Sequence, residues 1–281
     1  MAVDLNRQTK PVNYSDVSFV VQGPIADSDA SRLCNHLRAT FPGSPLIYSA
    51  CGDARSVHGF DRVAWTSDPG PMPPLKFDKK VNNVNRQRRG TLAGLRLVET
   101  PMAIKLRSDS LLYDDRALRL WDQVAALPRN GAVGHGRILT SSFITLNPRY
   151  LERLPYHVSD IFQLGYTEDL LRYWSAPDYP LSIALHYQFN RFAPRSTPEE
   201  TMFRSKFAVE QWMCLHYLFG LSQNWPIHFH NDVSDAIIEE FERHLANNFI
   251  VANHRQLGLW CPVLSWASES AFFQAVCYSF D

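Results

Sequence analysis

The sequence predicts an α/β fold with a Rossmann-type sheet, flanked by helices and followed by a helical C-terminal part. Three observations predict it. Short β-rich apolar runs alternate with helical or turn-rich segments over the first half, the pattern of βα units and a parallel sheet. These runs end in turns carrying Gly, Pro or Asp, at the sheet edge where open α/β folds bind ligands. The second half turns to helical apolar spacing, as in Asp235 to Asn247 with Ile237, Ile238, Phe241 and Leu245.

Residues 1 to about 15 are polar. Val17 to Val21 is the first strand, stopped by Gln22-Gly23-Pro24. A Gly-Pro turn lets a ligand approach the backbone, and the Gln22 amide can bond a base or a phosphate. A helix spans Ser28 to Thr40, and Phe41-Pro42-Gly43 ends it. Strands follow at Leu46 to Ala50 and Phe60 to Trp65, with Asp53 and Asp68 in the turns beyond them. Each Asp can grip a ribose or base, or simply close an Asx-turn. After a Pro-rich loop, a helix runs from about Asn82 to Glu99. Its first turns put Asn82, Asn85, Arg86 and Arg89 on one side, an arrangement suited to an anion. The central strand, Ala103 to Leu106, delivers Lys105, Arg107 and Asp109 towards its carboxyl end, with Asp114 and Asp115 beyond. An acid there can hold a metal ion that holds a diphosphate, or can pair with its neighbours.

A helix is expected over Asp115 to Ala126, then strands at Ala132 to Gly136 and Ser141 to Leu146. Pro155 to Gly165 mixes His157, Asp160 and Gln163 with aromatics. Asp160 is a candidate carboxylate base, or an N-cap or Asx-turn residue. Thr167 would cap the helix that follows, with Glu168 and Asp169 placed structurally in its first turn. A helical region is expected from Thr197 to Gly220 and a strand holding His228 and His230 on one face. The apolar end, with Trp260, Trp266, Phe272, Phe273 and Tyr278, is read as packing on the sheet or forming a contact surface.

The 281 residues are 45% hydrophobic, enough for a substantial core, with 28 basic and 28 acidic side chains in balance. That balance argues against a protein built for nucleic acid. Five widely spaced cysteines without a CxxC suggest neither a disulfide framework nor a zinc site. No apolar run approaches the roughly 20 residues a spanning helix needs. The N-terminus lacks the apolar core of a signal peptide, so the expected place is the cytoplasm, with reduced thiols.

Several stretches, in order, resemble the WavE lipopolysaccharide-synthesis family: Val17 to Ile25 with Gln-Gly-Pro, and Asn82 to Leu95 with Asn-x-x-Asn-Arg-Gln and Leu-Ala-Gly-Leu. Lys105-Leu106-Arg107-Ser108-Asp109, His157-Val158-Ser159-Asp160 and Thr167-Glu168-Asp169-Leu170 continue the match, and the blocks together cover roughly residues 17 to 215. The resemblance implies a GT-A-like mixed sheet and a nucleotide-sugar glycosyltransferase acting on a lipopolysaccharide or capsule-type surface glycan. It implies one domain over 1–281, with a nucleotide-sugar-binding half of about 16–150 and an acceptor-side, helical half of about 151–281. Arg107-Ser108-Asp109 stands where such folds carry an Asp-x-Asp motif, with Arg107 in place of the first acid. Asp109 would then bind a divalent metal (Mn²⁺ or Mg²⁺) or the donor ribose and sugar, and Arg107 would supply part of the charge a metal gives.

On this reading Gln22, Gly23, Pro24, Asp53 and Asp68 border the nucleotide. Asn82, Asn85, Arg86, Lys105 and Arg107 contact the diphosphate, His157 lies in the substrate site, and Asp160 is the general base. The partners are a nucleotide-sugar donor and a glycan or lipid-linked glycan acceptor. Peripheral attachment to the inner face of the inner membrane is open. A glycan-binding or assembly protein would also use the aromatics. A sugar nucleotidyltransferase should carry a longer Gly-rich loop than Gln22-Gly23-Pro24.

Overall fold

The computed structural model of the chain describes residues 13–54, 56–77, 82–222, 224–262 and 270–278. Strands β1 (Val17–Gln22), β2 (Leu46–Cys51), β3 (Arg62–Thr66) and β4 (Met102–Arg107) follow the expected order. After β5 (Leu111–Leu112) come β6 (Ile138–Ser141), β7 (Phe162–Tyr166) and β8 (Phe249–Ala252), and β9 (Leu259–Trp260) pairs with β5 alone. The seven-stranded sheet has the order β3-β2-β1-β4-β7-β6-β8. β1 to β4 are parallel, β7 is antiparallel to both β4 and β6, and β8 is parallel to β6. This is the mixed α/β sheet expected, and strands from both halves of the chain share it.

Strand alternation sorts the core into two layers. Val17, Phe19 and Val21 of β1, with Ile104 and Leu106 of β4, pack against α1 (Asp27–Thr40) and α3 (Arg116–Ala125). Val20 and Ala103 face the other way, in one core with α2 (Val84–Leu95), α4 (Thr167–Trp174), α7 (Val209–Phe219) and α8 (Asp235–Asn248). Gly94 explains why α2 lies so close to the sheet: a Cβ there would stand 2.5 Å from Val20 Cγ1 and 2.7 Å from Ser49 Oγ.

Several expected elements differ. Residues 132–136 form no strand, because the Asp169 carboxylate takes the His135 and Gly136 backbone N–H groups (2.8 and 2.7 Å) that a ladder would use. The strand lies at β6 instead, and the chain turns after Ser141. Thr167 begins α4 rather than capping it, and its hydroxyl donates to the Thr100 carbonyl (2.8 Å). The helix expected from Thr197 shrinks to a turn at Glu200–Met202 followed by α7, since Glu200 is drawn inward to Arg153 and Asn231 (2.7 and 2.8 Å). Residues 225–232 form no strand: His228 is exposed, whereas His230 is buried and stacked on Phe203 at 4.2 Å. Short helices α5 (Leu181–Ala184) and α6 (His186–Phe189) occupy the stretch read as irregular. Of the apolar C-terminus, Trp266 lies outside the described residues, as do the side chains of Phe272 and Phe273. Trp260 stands half-exposed in β9, and the Tyr278 hydroxyl donates to Glu242 Oε1 (3.1 Å).

Candidate functional site

The chain leaves β1 towards β2 and β3, then returns to place β4 on the opposite side of β1. Such a reversal opens a crevice at the carboxyl ends of the strands, where α/β sheets bind ligands. A cleft of about 770 Å³ lies beside it, at the carboxyl ends of β1, β2 and β3. It is walled by Gln22 to Asp27 after β1, by Cys51, Asp53 and Trp65 near the ends of β2 and β3, and by Asn83, Arg86 and Gln87 of the α2 start. That volume suits a small-molecule ligand.

Gly23 makes the turn after β1 workable. Its φ is 122°, and a Cβ there would lie 2.9 Å from Ser108 Oγ. Ser108 in turn donates its backbone N–H to Gln22 O (2.9 Å) and its hydroxyl to Pro24 O (2.8 Å). The loop after β4 is thereby fastened to the loop after β1. Arg107 and Asp109 flank this fastening and form a two-pronged ion pair, Nε to Oδ1 at 2.9 Å and Nη2 to Oδ2 at 2.7 Å. Asp109 opens into a second cleft of about 570 Å³, which shares the wall Pro24-Ile25-Ala26 with the first.

Asp160 reaches the same edge by topology. β7 runs antiparallel to β4 with Phe162 opposite Leu106, so the residues before β7 sit at the carboxyl end of β4. Thr140 Oγ1 donates to Ser159 O (2.7 Å) and Thr145 Oγ1 accepts from Ser159 N (3.1 Å), which fixes the approach. Asp160 is buried, and Gln87 donates to its Oδ2 at 2.7 Å. Burial pushes the Asp160 carboxyl above the usual carboxylate range, with Lys105 opposing. Gln87 therefore bridges the first cleft and this carboxylate.

The expected site residues divide. Gln22, Gly23, Pro24, Asp53, Asp68 and Arg86 line the first cleft, where Arg86 holds Asp68 through Nε and Nη2 (2.7 Å each). Asp109 lines the second. Arg107 and Asp160 line neither cleft but stand at the same sheet edge, and the rest turn away from both. Asn82 bonds Pro73 O and the Val84 N–H, which closes the start of α2. Asn85 is buried against the Tyr179 backbone (2.7 and 3.1 Å), and Arg88 and Arg89 share Asp178. Lys105 is corrected from a diphosphate contact to a core residue: it is fully buried, its Nζ bonding Asp160 O at 2.6 Å and lying 5.0 Å from the Trp174 ring centroid. Standing two residues before the strand end, it falls short of the edge. His157 is corrected likewise, being buried between Ile144 O (2.9 Å) and Glu210 (3.2 Å). Asp114 and Asp115 pair with Arg116 and Arg119.

Gln87 lies in the Asn-Arg-Gln block but gives no sign of its role in the sequence, because one amide carries no signal about its partner. Nor does the sequence mark Trp65 and Tyr48, whose rings lie 5.5 Å apart against the first cleft. Among the described residues no three His, Cys, Asp or Glu side chains gather to hold a metal ion. Asp109, with both oxygens on Arg107, does not fit a resident divalent metal.

Residues 17–274 match the family model described as WavE lipopolysaccharide synthesis. Two solved structures of LgtC are similar to the chain. One is an active-site mutant, at 12% identity over 85% of this chain and 73% of that one, with a TM-score of 0.35. The other is the galactosyltransferase in complex with donor and acceptor sugar analogues, at 14% identity over 72% and 70%, with a TM-score of 0.34. No curated protein matches the chain.

Proposed function

The chain belongs to the WavE lipopolysaccharide synthesis family, and from that premise we propose that it is a glycosyltransferase. It would move a sugar from a nucleotide-sugar donor to a hydroxyl of a lipopolysaccharide-type glycan. The observation that carries this reading is the cleft beside the reversal of the sheet, with the Arg107–Asp109 pair on the loop that Ser108 fastens to its Gly23-Pro24 wall.

In the proposal the nucleoside occupies the first cleft, its base beside Trp65 and its ribose at Asp53 and Asp68. The diphosphate crosses the Gly23-Pro24 backbone towards Arg107, and Asp109 receives hydroxyls of the donor sugar. The acceptor oxygen attacks the anomeric carbon while the bond from that carbon to the diphosphate breaks. The electron pair leaves with the nucleoside diphosphate, whose charge Arg107 and Arg86 stabilise. The acceptor proton passes to Asp160, whose raised pKa makes it a stronger base than an exposed carboxylate. Because the residues at Asp109 do not fit a metal, no step depends on one.

Melting curves with nucleoside diphosphates and nucleotide sugars, each with Mn²⁺, Mg²⁺ or EDTA, test the proposal. One nucleotide should raise the melting temperature, and the rise should survive EDTA. A rise abolished by EDTA would replace arginine with metal at the diphosphate, and no rise with any nucleotide would sink the transferase reading. Asp160→Asn should keep the nucleotide shift and lose transfer by roughly 10²–10⁴-fold.

A further inference from the structure

Exposed apolar side chains stand on the α5–α6 region and on the segments bonded to it. Phe189 is 76% exposed, Leu181 58% and Phe77 48%, and Phe192 and Met202 are exposed beside them. Their segments are tied together. Phe77 N–H donates to Met202 O (2.9 Å), and Arg204 N–H donates to Leu75 O (2.7 Å). The Arg204 guanidinium lies 5.9 Å from the Phe77 ring centroid and donates to Gln188 Oε1 (2.6 Å). Tyr187 N–H donates to Arg204 O (3.0 Å), and the Phe192 ring packs on the Tyr187 ring at 5.1 Å. Single exposed apolar residues are ordinary, but a connected group marks an interaction surface.

Charge tells what the surface suits. From Tyr179 to Pro198 the chain has no Asp or Glu, while Arg191 and Arg195 are exposed within it. Of the described acids nearby, Glu152 is held by Lys76 (3.3 Å) and Glu200 by Arg153 (2.7 Å), leaving Glu199 as the exposed acid of the adjoining turn. Exposed aromatic rings among arginines match the headgroup level of a bilayer, where rings settle at the interface and arginine attracts anionic lipid. We propose that this face docks on an anionic lipid bilayer. The loop that bears Phe77 starts beyond Asp68 of the first cleft and returns to α2 through Met72, whose N–H donates to Asn82 O (2.8 Å). Docking would therefore bring the rim of the cleft near the lipid surface. The inference stands apart from the transfer chemistry.

Sedimentation of the full chain with vesicles of phosphatidylcholine, with and without phosphatidylglycerol, tests it. The protein should pellet with the anionic vesicles alone and be released by salt. Arg191→Ala with Arg195→Ala should weaken binding roughly 30-fold, about fivefold per arginine. Phe189→Ser with Leu181→Ser should weaken it further, with melting temperature and nucleotide shift unchanged, because these side chains are exposed. No pelleting with anionic vesicles, or pelleting indifferent to both variants, overturns the proposal. Self-association in gel filtration that the Phe189→Ser variant abolishes, without vesicle binding, would overturn it in favour of a protein contact.

Discussion

Lys105 and Arg107 stand two residues apart on β4, on the same face of the sheet, and meet opposite environments. Lys105 is sealed beneath the edge, and burial pushes its amine down to about 8. Arg107 emerges about 7 Å further along the strand. There the Asp109 carboxylate holds its guanidinium charged, above its ordinary value. One cation serves the interior and the other stands, half-buried, at the rim of the sheet. Depth below the strand end, rather than residue type, separates the two roles.

The difference can be broken at its buried end first. Lys105→Met should cost up to about 3 kcal/mol of unfolding free energy, since it leaves the buried Asp160 carbonyl without its donor and removes the cation that opposes burial of the carboxylate. Adding Asp160→Asn should recover the part of the loss that the carboxylate causes, in a denaturant titration. A single variant as stable as the parent would erase the distinction between interior and rim. Arg107→Ala should do the reverse. Its pair with Asp109 is about a third exposed and should cost under about 1 kcal/mol of stability. Nucleoside diphosphate affinity, measured by calorimetry, should fall by about 1.5–3 kcal/mol.

The smallest effect sharpens the interior side. Burial alone would lower the His157 pKa, but Glu210 and the Ile144 carbonyl outweigh it and raise it. Glu210 moves down, its burial outweighed by His157. The raised His157 contributes fully below its unfolded pKa of about 6.5, and the contribution is lost as pH rises through the folded value. The lowered Glu210 contributes above its unfolded pKa of about 4.3, and that part is lost as pH falls through its own folded value. His157→Gln should therefore be most destabilised, by about 1 kcal/mol, between about pH 5 and 6.5. Melting temperatures of the two proteins should converge as pH rises; a constant gap from pH 5 to 9 would exclude the ion pair as its cause.

The β1 to β4 half was legible because each strand there is a dense apolar run with a turn behind it. β7 was not: Phe162 to Tyr166 looks like the tail of a polar segment, and only its pairing with β4 makes it a strand. The α2 start shows the same limit. Helical spacing set Asn82, Asn85, Arg86 and Arg89 on one side, but the partners that claim three of them, at Pro73, Tyr179 and Asp178, lie outside that spacing. Arg86 alone of that group lines the cleft. The turns bearing Gln22, Asp53 and Asp68 were easier to place, because a strand end has only one edge to point from.

The contact between Gly23 and Ser108 ties the inheritance of two motifs together. A side chain gained at position 23 would need the hydroxyl at 108 to yield, and a larger residue at 108 would press on the turn at 23. Neither loop can drift alone without pulling the other out of place. Among descendants of this chain the two positions should therefore change as a pair, and a graft that carries one loop into another scaffold should carry its mate.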